Sequence, residues 1–595
     1  MTARKVGIYM EQKRRIYKSF NNIAETCTRY PLAILLLLTI ALINGIEIHS
    51  TINNYSNLLF TLVIGVFVSL VAQVSYEGFF VKSNHRWLLY GIAIILAIIY
   101  YIMLLPVDGI GTVVALRTTV AIFILLVAYI WIPTVKNLVT FNETFLALFK
   151  AFFQAVFYFG ILYLGVMLII AAINALILEV DSKVLIHSAN IIFVVFAPVY
   201  LLSMIPAYDQ GEDKDNDTRD RVAVSTSKLL DTLISYVIIP ITAVFTLVLL
   251  IYVITNISGR FWTDNLMEPL LVTYSITVIV VYLLASNISN SFTVYFRKIF
   301  PKVLVPIVLF QTIASILKIG EAGFTHGRYY AILFGVFATI AGLIFSIVPV
   351  RKNGLIAPIL IGLSVISILP PIDAFTVSKN NQTNRLKNVL QANDMIADDE
   401  IIPKADVSEE DRNTIINSVQ YLDFMGYTND IDWLSSYSKD RNFDMAFGFS
   451  QFDFGDKEYK SFYFSRENNP ISITGYDIII RSNLIYSEGN KELGSYVKDG
   501  IEYRLVVDVS EEAYEIILLN EAEEQLISLD LSEIINQVNA SDMDRELTLE
   551  EATFTKDNDK ASIKIVVENI YTSSYRGQVD GQHVEMIGDF LVGIK

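Results

Sequence analysis

Long apolar runs fill the first 371 residues of the chain, and alternating apolar and polar positions fill much of the remainder. A helix needs about 20 mostly apolar residues to cross a bilayer. Eleven runs meet or approach this length, so we expect about eleven membrane-spanning helices. Their approximate limits are 31–48, 58–76, 87–105, 113–134, 150–177, 186–206, 231–256, 269–287, 302–318, 329–350 and 354–371.

The segment 372–440 has a helical pattern instead. Ser408-Glu409-Glu410-Asp411 has the form of a capping box and predicts a helix that runs to about Tyr421. The apolar residues expected on one face of this helix are Ile415, Ile416, Val419, Leu422 and Phe424. We therefore interpret 372–440 as a helical connector.

From residue 441 the apolar period changes to two, which is typical of strands. Turn signals such as Lys498-Asp499-Gly500 separate the runs. Many short strands at close spacing favour a mainly antiparallel sandwich or barrel-like sheet. The predicted strands are 443–454, 459–465, 474–481, 501–508, 513–519, 525–530, 546–554, 562–570 and 584–593.

These patterns predict an α-helical polytopic membrane bundle followed by a mainly-β (α+β) extracytoplasmic soluble domain. We expect four parts. They are a basic cytoplasmic N-terminal segment (1–30), the transmembrane helical bundle (31–371), the helical connector (372–440) and an acidic β-rich domain (441–595).

Composition and charge sharpen this division. The 595 residues are 53% apolar, with a mean hydropathy of +0.48. Residues 1–371 carry 25 Lys and Arg against 18 Asp and Glu, a net charge of +7, whereas residues 372–595 carry 20 against 43, a net charge of −23. The acidic balance argues against nucleic acid as a partner, since phosphate binding needs clustered cations. The single cysteine, Cys27, excludes a disulfide within one chain.

Lys and Arg in the loops predict the orientation, because cytoplasmic loops of membrane proteins are enriched in both. With the N-terminus inside, the inner segments carry 20 of these residues and the outer segments carry five. An odd number of spans then places the acidic domain outside. We expect a bacterial plasma membrane location, with the lipid bilayer as the first partner.

A polar turn between the ninth and tenth spans is the candidate ligand-binding site. Two interpretations stay open: the charges tie the hairpin together, or they bind a lipid headgroup or another anionic ligand. The candidate residues are Lys318, Glu321, Thr325, His326, Arg328 and Tyr329.

Catalytic signatures do not emerge from the sequence. It has no phosphate-cradling Gly-rich loop followed by Lys, no paired His at zinc spacing and no Gly-x-Ser-x-Gly elbow. We therefore predict no catalytic residues, no metal and no cofactor. A non-enzymatic role in envelope assembly, partner binding or signalling is favoured, with an envelope protein, glycan or lipid headgroup as partner. The alternatives are a transporter or lipid translocator, and a membrane-embedded glycosyl or lipid-group transferase.

Three stretches within residues 300–425 resemble one bacterial family of multi-pass membrane proteins. They are Ile319-Gly320-Glu321-Ala322-Gly323-Phe324-Thr325-His326-Gly327-Arg328-Tyr329, Pro370-Pro371-Ile372-Asp373-Ala374-Phe375-Thr376-Val377-Ser378, and Asn384-Arg385-Leu386 running to Asn393-Asp394-Met395. The family is known only as domain of unknown function 4153 (DUF4153). The resemblance implies many spans followed by a soluble tail, and it implies no activity.

Overall fold

The structure is a computed structural model of the full chain. It describes residues 23–49, 55–80, 85–105, 110–136, 139–178, 180–207, 225–256, 267–397, 400–434, 437, 443–451, 457–464, 470–485, 491–509, 514–532, 534–535, 545–575 and 583–595. The chain forms two compact units. The first comprises Met1–Arg385 and Ser418–Asp430, and the second comprises Leu386–Asn417 and Ile431–Lys595. The predicted limits at residues 30, 371 and 440 stay predictions.

Eleven apolar helices make up most of the first unit. Within the described residues, nine are long and apolar enough to cross a membrane: α1 (Pro31–His49), α2 (Ser56–Phe80), α3 (Arg86–Leu104), α4 (Thr112–Thr134), α5 (Phe141–Leu176), α6 (Lys183–Met204), α7 (Lys228–Thr255), α9 (Ser291–Leu317) and α10 (His326–Ile347). Two shorter ones are α8 (Met267–Leu284) and α11 (Ile356–Ile366). The nine long helices establish a membrane-embedded bundle, while the predicted count of about eleven spans stays a prediction.

The surface of this unit suits a bilayer. Large apolar side chains point outward along its helices, as at Leu168, which is 72% exposed, and Ile254, which is 71% exposed. Water disfavours such a surface, whereas lipid tails solvate it. Helical backbone groups bond within each segment, so these helices meet the requirement for crossing hydrocarbon.

Helices α9 and α10 approach closely at a glycine. A Cβ atom built on Gly342 would lie 2.9 Å from Val305 Cγ2 and 3.2 Å from the carbonyl oxygen of Pro301. Small residues at such contacts let membrane helices pack through van der Waals attraction. Gly342 thus sets the distance between α9 and α10.

We expect Gly342→Leu to destabilise the bundle by about 1–3 kcal/mol, the usual cost of overpacking. The measurement is the thermal unfolding midpoint of the full chain in detergent. Gly160→Leu is the matched control, because a Cβ on Gly160 would meet no described atom within 4 Å. Equal losses of stability in the two variants would contradict the close-contact explanation.

Two further helices follow the bundle: α12 (Ala374–Ala392) and α13 (Glu409–Phe424). The predicted N-cap of α13 is confirmed at Ser408, but the Asp411 carboxylate contacts the Ser408 hydroxyl and not the Ser408 N–H that a full capping box uses. Ser408 Oγ accepts from the Asp411 N–H at 3.2 Å and donates to Asp411 Oδ2 at 2.9 Å. The prediction that Phe424 lies on the buried face is wrong, since it is 65% exposed. A two-stranded hairpin, β1 (Ile396–Ala397) and β2 (Glu400–Ile401), lies between the helices.

The second unit is built mainly of strands in two further sheets. The larger sheet has the order β4-β12-β11-β3-β9, with β10 also paired to β11, and the smaller has the order β5-β6-β7-β8. The strands are β3 (Lys457–Tyr463), β4 (Ile478–Ile485), β5 (Lys491–Lys498), β6 (Ile501–Val509), β7 (Tyr514–Asn520), β8 (Gln525–Asp530), β9 (Arg545–Glu546), β10 (Thr553–Asp557), β11 (Ala561–Tyr575) and β12 (His583–Ile594).

Both sheets contribute to one apolar core. Leu505 and Leu518 of the smaller sheet join Ile565 and Phe590 of the larger one in a single cluster of buried side chains. All pairings are antiparallel except the short contact of β3 with β9. The alternating pattern after residue 441 therefore led to the correct class of structure.

Three details of the strand prediction differ from the structure. The predicted strand 546–554 is replaced by two short strands, β9 and β10, which are separated by the turn at residues 547–552. Residues Phe443–Phe447 form a short helix, α14, where a strand was predicted. The Phe443 and Phe447 rings pack at a tilt on one side of that helix, with centroids 4.5 Å apart, and this packing outweighs their strand propensity. Strand β5 was not predicted, because its sequence, Lys-Glu-Leu-Gly-Ser-Tyr-Val-Lys, is polar and contains Gly494.

Candidate functional site

The predicted polar turn is held together largely by Arg328. Its Nη1 donates to the carbonyl oxygens of Gly323 at 2.6 Å and Lys318 at 3.2 Å. Thr325 caps α10, because its Oγ1 accepts from the Arg328 N–H at 3.4 Å. Lys318 is buried, with 4% of its surface exposed. The side chain of Glu321 lies outside the described residues.

The remaining two predicted residues contact the chain that follows the bundle. The His326 N–H donates to the Tyr421 hydroxyl at 2.9 Å, and His326 Nδ1 lies 3.0 Å from the same oxygen. The Tyr329 hydroxyl donates to the Ile372 carbonyl at 2.8 Å. The predicted residues thus contact partners, Tyr421 and Ile372, that lie far from them in the sequence. Their role in binding a ligand stays a prediction.

A glycine lets α12 approach the same turn. Gly323 has φ = 73°, and a Cβ there would lie 2.5 Å from Gln382 Nε2. The Phe324 N–H donates to Asn381 Oδ1 at 2.8 Å. Only glycine satisfies both the left-handed backbone and the lack of space. This contact fastens the turn to α12.

Asp373 is the most highly bonded side chain in this region. Its carboxylate is fully buried and accepts from the N–H groups of Phe375 at 2.9 Å and Thr376 at 3.0 Å. It also accepts from Thr376 Oγ1 at 2.7 Å and from Arg117 Nη2 at 3.0 Å. Asp373 therefore caps α12 and ties it to α4, 256 residues earlier in the chain.

The same contacts control the protonation of Asp373. Burial alone would raise the pKa of its carboxyl group, but the hydrogen bonds from Thr376 and Arg117 more than compensate and lower the pKa below its usual value. The carboxylate therefore stays charged at neutral pH, and the Arg117 guanidinium keeps its counter-ion.

Residues 418–430 complete this arrangement. The Tyr427 hydroxyl donates to the Phe375 carbonyl at 3.4 Å, and Lys379 Nζ lies 2.6 Å from Asp430 Oδ2. We name the whole set the connector clasp, and the end of the bundle that carries it the connector end. The clasp consists of Arg117, Gly323, His326, Asp373, Phe375, Asn381, Tyr421 and Tyr427.

Asp373 lies in the Pro370-Pro371-Ile372-Asp373 stretch that carries part of the family resemblance, but the sequence did not pair it with Arg117 of the predicted fourth span. An arginine inside a predicted span is itself a signal, because such a charge needs a partner. The partner could not be chosen from sequence spacing, since the two residues are far apart in the chain. Tyr421 was not predicted as a site residue, because its position fits the apolar pattern of α13.

A second, partly buried ion pair joins Arg29, just before α1, to Glu77 of α2. Arg29 Nε and Nη2 contact the two carboxylate oxygens of Glu77, each at 2.7 Å. Arg29 also donates to the Ile205 carbonyl at 2.8 Å, and Gln73 donates to Glu77 Oε1 at 2.7 Å. Arg86 lies within the network through its 3.2 Å contact with Gln73. This geometry is that of a bidentate, charge-assisted tie.

Two histidines that are scattered in the sequence meet in the structure. His49 and His187 stack at 4.8 Å between ring centroids, and their Nε2 atoms lie 2.8 Å apart. Next to them, Asn44 Nδ2 donates to Asn190 Oδ1 at 2.9 Å. These contacts join α1 to α6. Among the described residues, no group of three or more His, Cys, Asp or Glu side chains could hold a metal ion.

The bundle also contains two large apolar cavities. One has a volume of about 650 Å³ and lies among α1, α2, α4, α5 and α6. The other has a volume of about 560 Å³ and lies among α4, α8, α10 and α11, with two phenylalanines of α5 in its wall. Both volumes fall in the usual range for ligand pockets, about 300–1,000 Å³.

Taken together, the bundle and the sheets define a class: multi-pass, membrane-embedded proteins with a β-rich C-terminal region. Residues 32–400, more than half of the chain, match the family model described as "Domain of unknown function (DUF4153)". The chain belongs to this family, and the resemblance seen in its sequence is confirmed. No curated protein and no solved structure matches it. The family is uncharacterised, so membership supports the membrane architecture of the chain but assigns no activity to it.

Proposed function

We propose that this protein is a non-enzymatic component of a bacterial cell envelope, which displays its acidic β-rich region on the extracytoplasmic side of the plasma membrane for partner binding. The observation that carries the proposal is the connector clasp. Membrane helices with no role beyond anchoring need no ion pair with a fully buried carboxylate, such as Arg117–Asp373, at the point where the chain leaves them. The clasp holds both connector segments of the first unit to the bundle.

Charge supports the proposed orientation. With the N-terminus in the cytoplasm, the inner segments carry 20 Lys and Arg residues and the outer segments carry five, which is the bias of cytoplasmic loops. The predicted eleven spans form an odd number, which supports opposite sides of the membrane for the two chain termini. The clasp residues Arg117 and His326 both lie near the starts of helices that run inward in this scheme.

The chemistry of the displayed region suggests the kind of partner. Residues 372–595 carry a net charge of −23. Electrostatic complementarity then favours an envelope protein with a basic surface over an anionic lipid headgroup. A glycan partner would instead use exposed aromatic rings, and Tyr463 of β3 is 46% exposed.

The topology can be tested with cysteine accessibility in intact cells. Cys27 is exposed and is the only cysteine of the chain, so it reports the N-terminal side. Glu521→Cys in a Cys27→Ser background places a thiol at an exposed position between β7 and β8. A membrane-impermeant maleimide should label Glu521→Cys in intact cells and should label Cys27 only after permeabilisation.

The reverse pattern, with Cys27 labelled in intact cells and Glu521→Cys protected, would overturn the proposal. Labelling of both thiols after permeabilisation serves as the control for reactivity. The Cys27→Ser protein without the new cysteine gives the background signal.

A further inference from the structure

The smaller cavity extends along α4 and α11, and one end of it lies beside the connector clasp. It has a volume of about 560 Å³. Its wall follows α4 from Thr119 to Ile130 and follows α11 from Ile356 to Ser367. Each stretch spans eleven residue steps, or about 16 Å at 1.5 Å per residue. The cavity is therefore about as long as half the ~30 Å hydrocarbon core of a bilayer.

Polar groups occur in the cavity wall mainly at the connector end. Thr119 Oγ1 and Ser367 Oγ donate to carbonyl oxygens of their own helices, at 2.9 Å and 2.7 Å. Tyr330 differs, because its hydroxyl is buried and has no hydrogen-bond partner in the described part of the chain. The Ser367 hydroxyl donates to the Ser364 carbonyl and does not meet the phenol in hydrogen-bonding geometry.

A second donor without a partner lies nearby. Arg117 Nη2 bonds Asp373, whereas the Arg117 Nε is buried and finds no acceptor among the described residues. The Phe375 ring connects the two donors: its centroid lies 5.1 Å from the Arg117 guanidinium carbon and 6.4 Å from the Tyr330 ring centroid. Buried donors in native proteins nearly always have an acceptor. An oxygen-rich group that reaches both donors would give each of them an acceptor.

We infer that this cavity binds one acyl chain of a membrane phospholipid, with ester or phosphate oxygens of that lipid accepting from Tyr330 and Arg117. The apolar walls exclude water and polar solutes, because a dry apolar cavity is filled by apolar groups. The length matches a chain from one leaflet. Asp373 already balances the charge of Arg117, so recognition at the head end rests on hydrogen bonds. This site is distinct from the predicted polar turn, and it is independent of the proposed display function.

The test is native mass spectrometry of the full chain, delipidated in detergent and titrated with phosphatidylglycerol. The wild-type protein should retain one lipid molecule in a saturable manner. Tyr330→Phe should weaken this binding about fivefold, the effect of one lost hydrogen bond. Because the phenol has no partner in the described protein, the thermal midpoint of the lipid-free variant should not fall.

Two further variants test whether the lipid binds inside the cavity. Val120→Trp places an indole in the cavity and should abolish binding of the lipid. Tyr274→Phe is the matched control, since its hydroxyl bonds Thr246 at 2.9 Å outside the cavity. It should lower stability and leave lipid affinity unchanged.

Absence of a saturable lipid in the wild-type protein would overturn the inference. So would equal lipid affinity in the wild type, Tyr330→Phe and Val120→Trp, which would indicate lipid bound only to the outer surface of the bundle. The maleimide labelling of intact cells does not depend on this cavity, so the two proposals can fail separately.

Discussion

Replacing Glu77 by alanine is expected to destabilise the bundle by about 3–5 kcal/mol, because it leaves the buried Arg29 guanidinium without its counter-ion. The two side chains are 15% and 14% exposed and share two hydrogen bonds of 2.7 Å. The carbonyls of Ile205 and Pro206 also accept from Arg29, but they cannot neutralise its charge. The measurement is the thermal unfolding midpoint of the full chain in detergent.

Two controls separate charge burial from loss of packing. The double variant Arg29→Met, Glu77→Leu should recover much of the lost stability, because apolar pairs of similar volume often replace buried ion pairs at little cost. Glu524→Ala breaks the surface pair with Lys560, in which Lys560 is 58% and Glu524 60% exposed, and should leave the thermal midpoint nearly unchanged. A double variant less stable than Glu77→Ala would contradict this account.

Asp373→Ala is expected to release α12 from the end of the bundle and to cost about 3 kcal/mol, since a buried carboxylate with four hydrogen bonds is lost. Arg117 would lose its ion-pair partner, and the first N–H groups of α12 would lose their cap. Hydrogen exchange of residues 374–385 and 418–430 should rise in this variant. Exchange in β11 and β12 should stay unchanged.

Asp430→Asn is the matched control for Asp373→Ala. It removes a carboxylate from the same clasp region, but the Asp430 side chain that contacts Lys379 is 59% exposed. The free energy of unfolding should therefore fall by at most about 1 kcal/mol. Equal effects of the two variants on exchange would show that burial of Asp373 does not matter.

The clasp also has a defined pH dependence. The folded-state pKa of Asp373 lies below its usual value, so its contribution to stability is complete above an unfolded pKa of about 3.9 and is lost as pH falls through the folded value. Exchange of residues 374–385 should therefore be the same at neutral and mildly acidic pH, and should rise only below about pH 4.

Helix and strand periodicity could be predicted from the sequence because each depends on residues close in the chain. The apolar run of α10 and the alternation along β11, for example, are local patterns. The prediction of element type failed at two segments, where side-chain packing or a polar strand sequence departs from the usual pattern. At Phe443–Phe447, packing among aromatic rings replaced a predicted strand by a helix. In β5 the polar sequence concealed a strand that pairs with β6 along its length.

The candidate site was predicted only in part for a different reason. Arg328, Thr325 and Lys318 interact within one turn, so the sequence alone brought them together. Asp373 and Tyr421 join them only through the path of the chain around the bundle. The paired histidines His49 and His187 depend on the contact between α1 and α6 in the same way.

The sequence by itself determined that this protein is a bundle of membrane helices followed by a β-rich region, because burial of apolar surface in lipid or in a sheet core depends on patterns of neighbouring residues. Only the tertiary structure decided which charges pair, which donors stay without acceptors and where cavities form. Those features depend on the three-dimensional meeting of helices that are hundreds of residues apart, and no local pattern specifies that meeting.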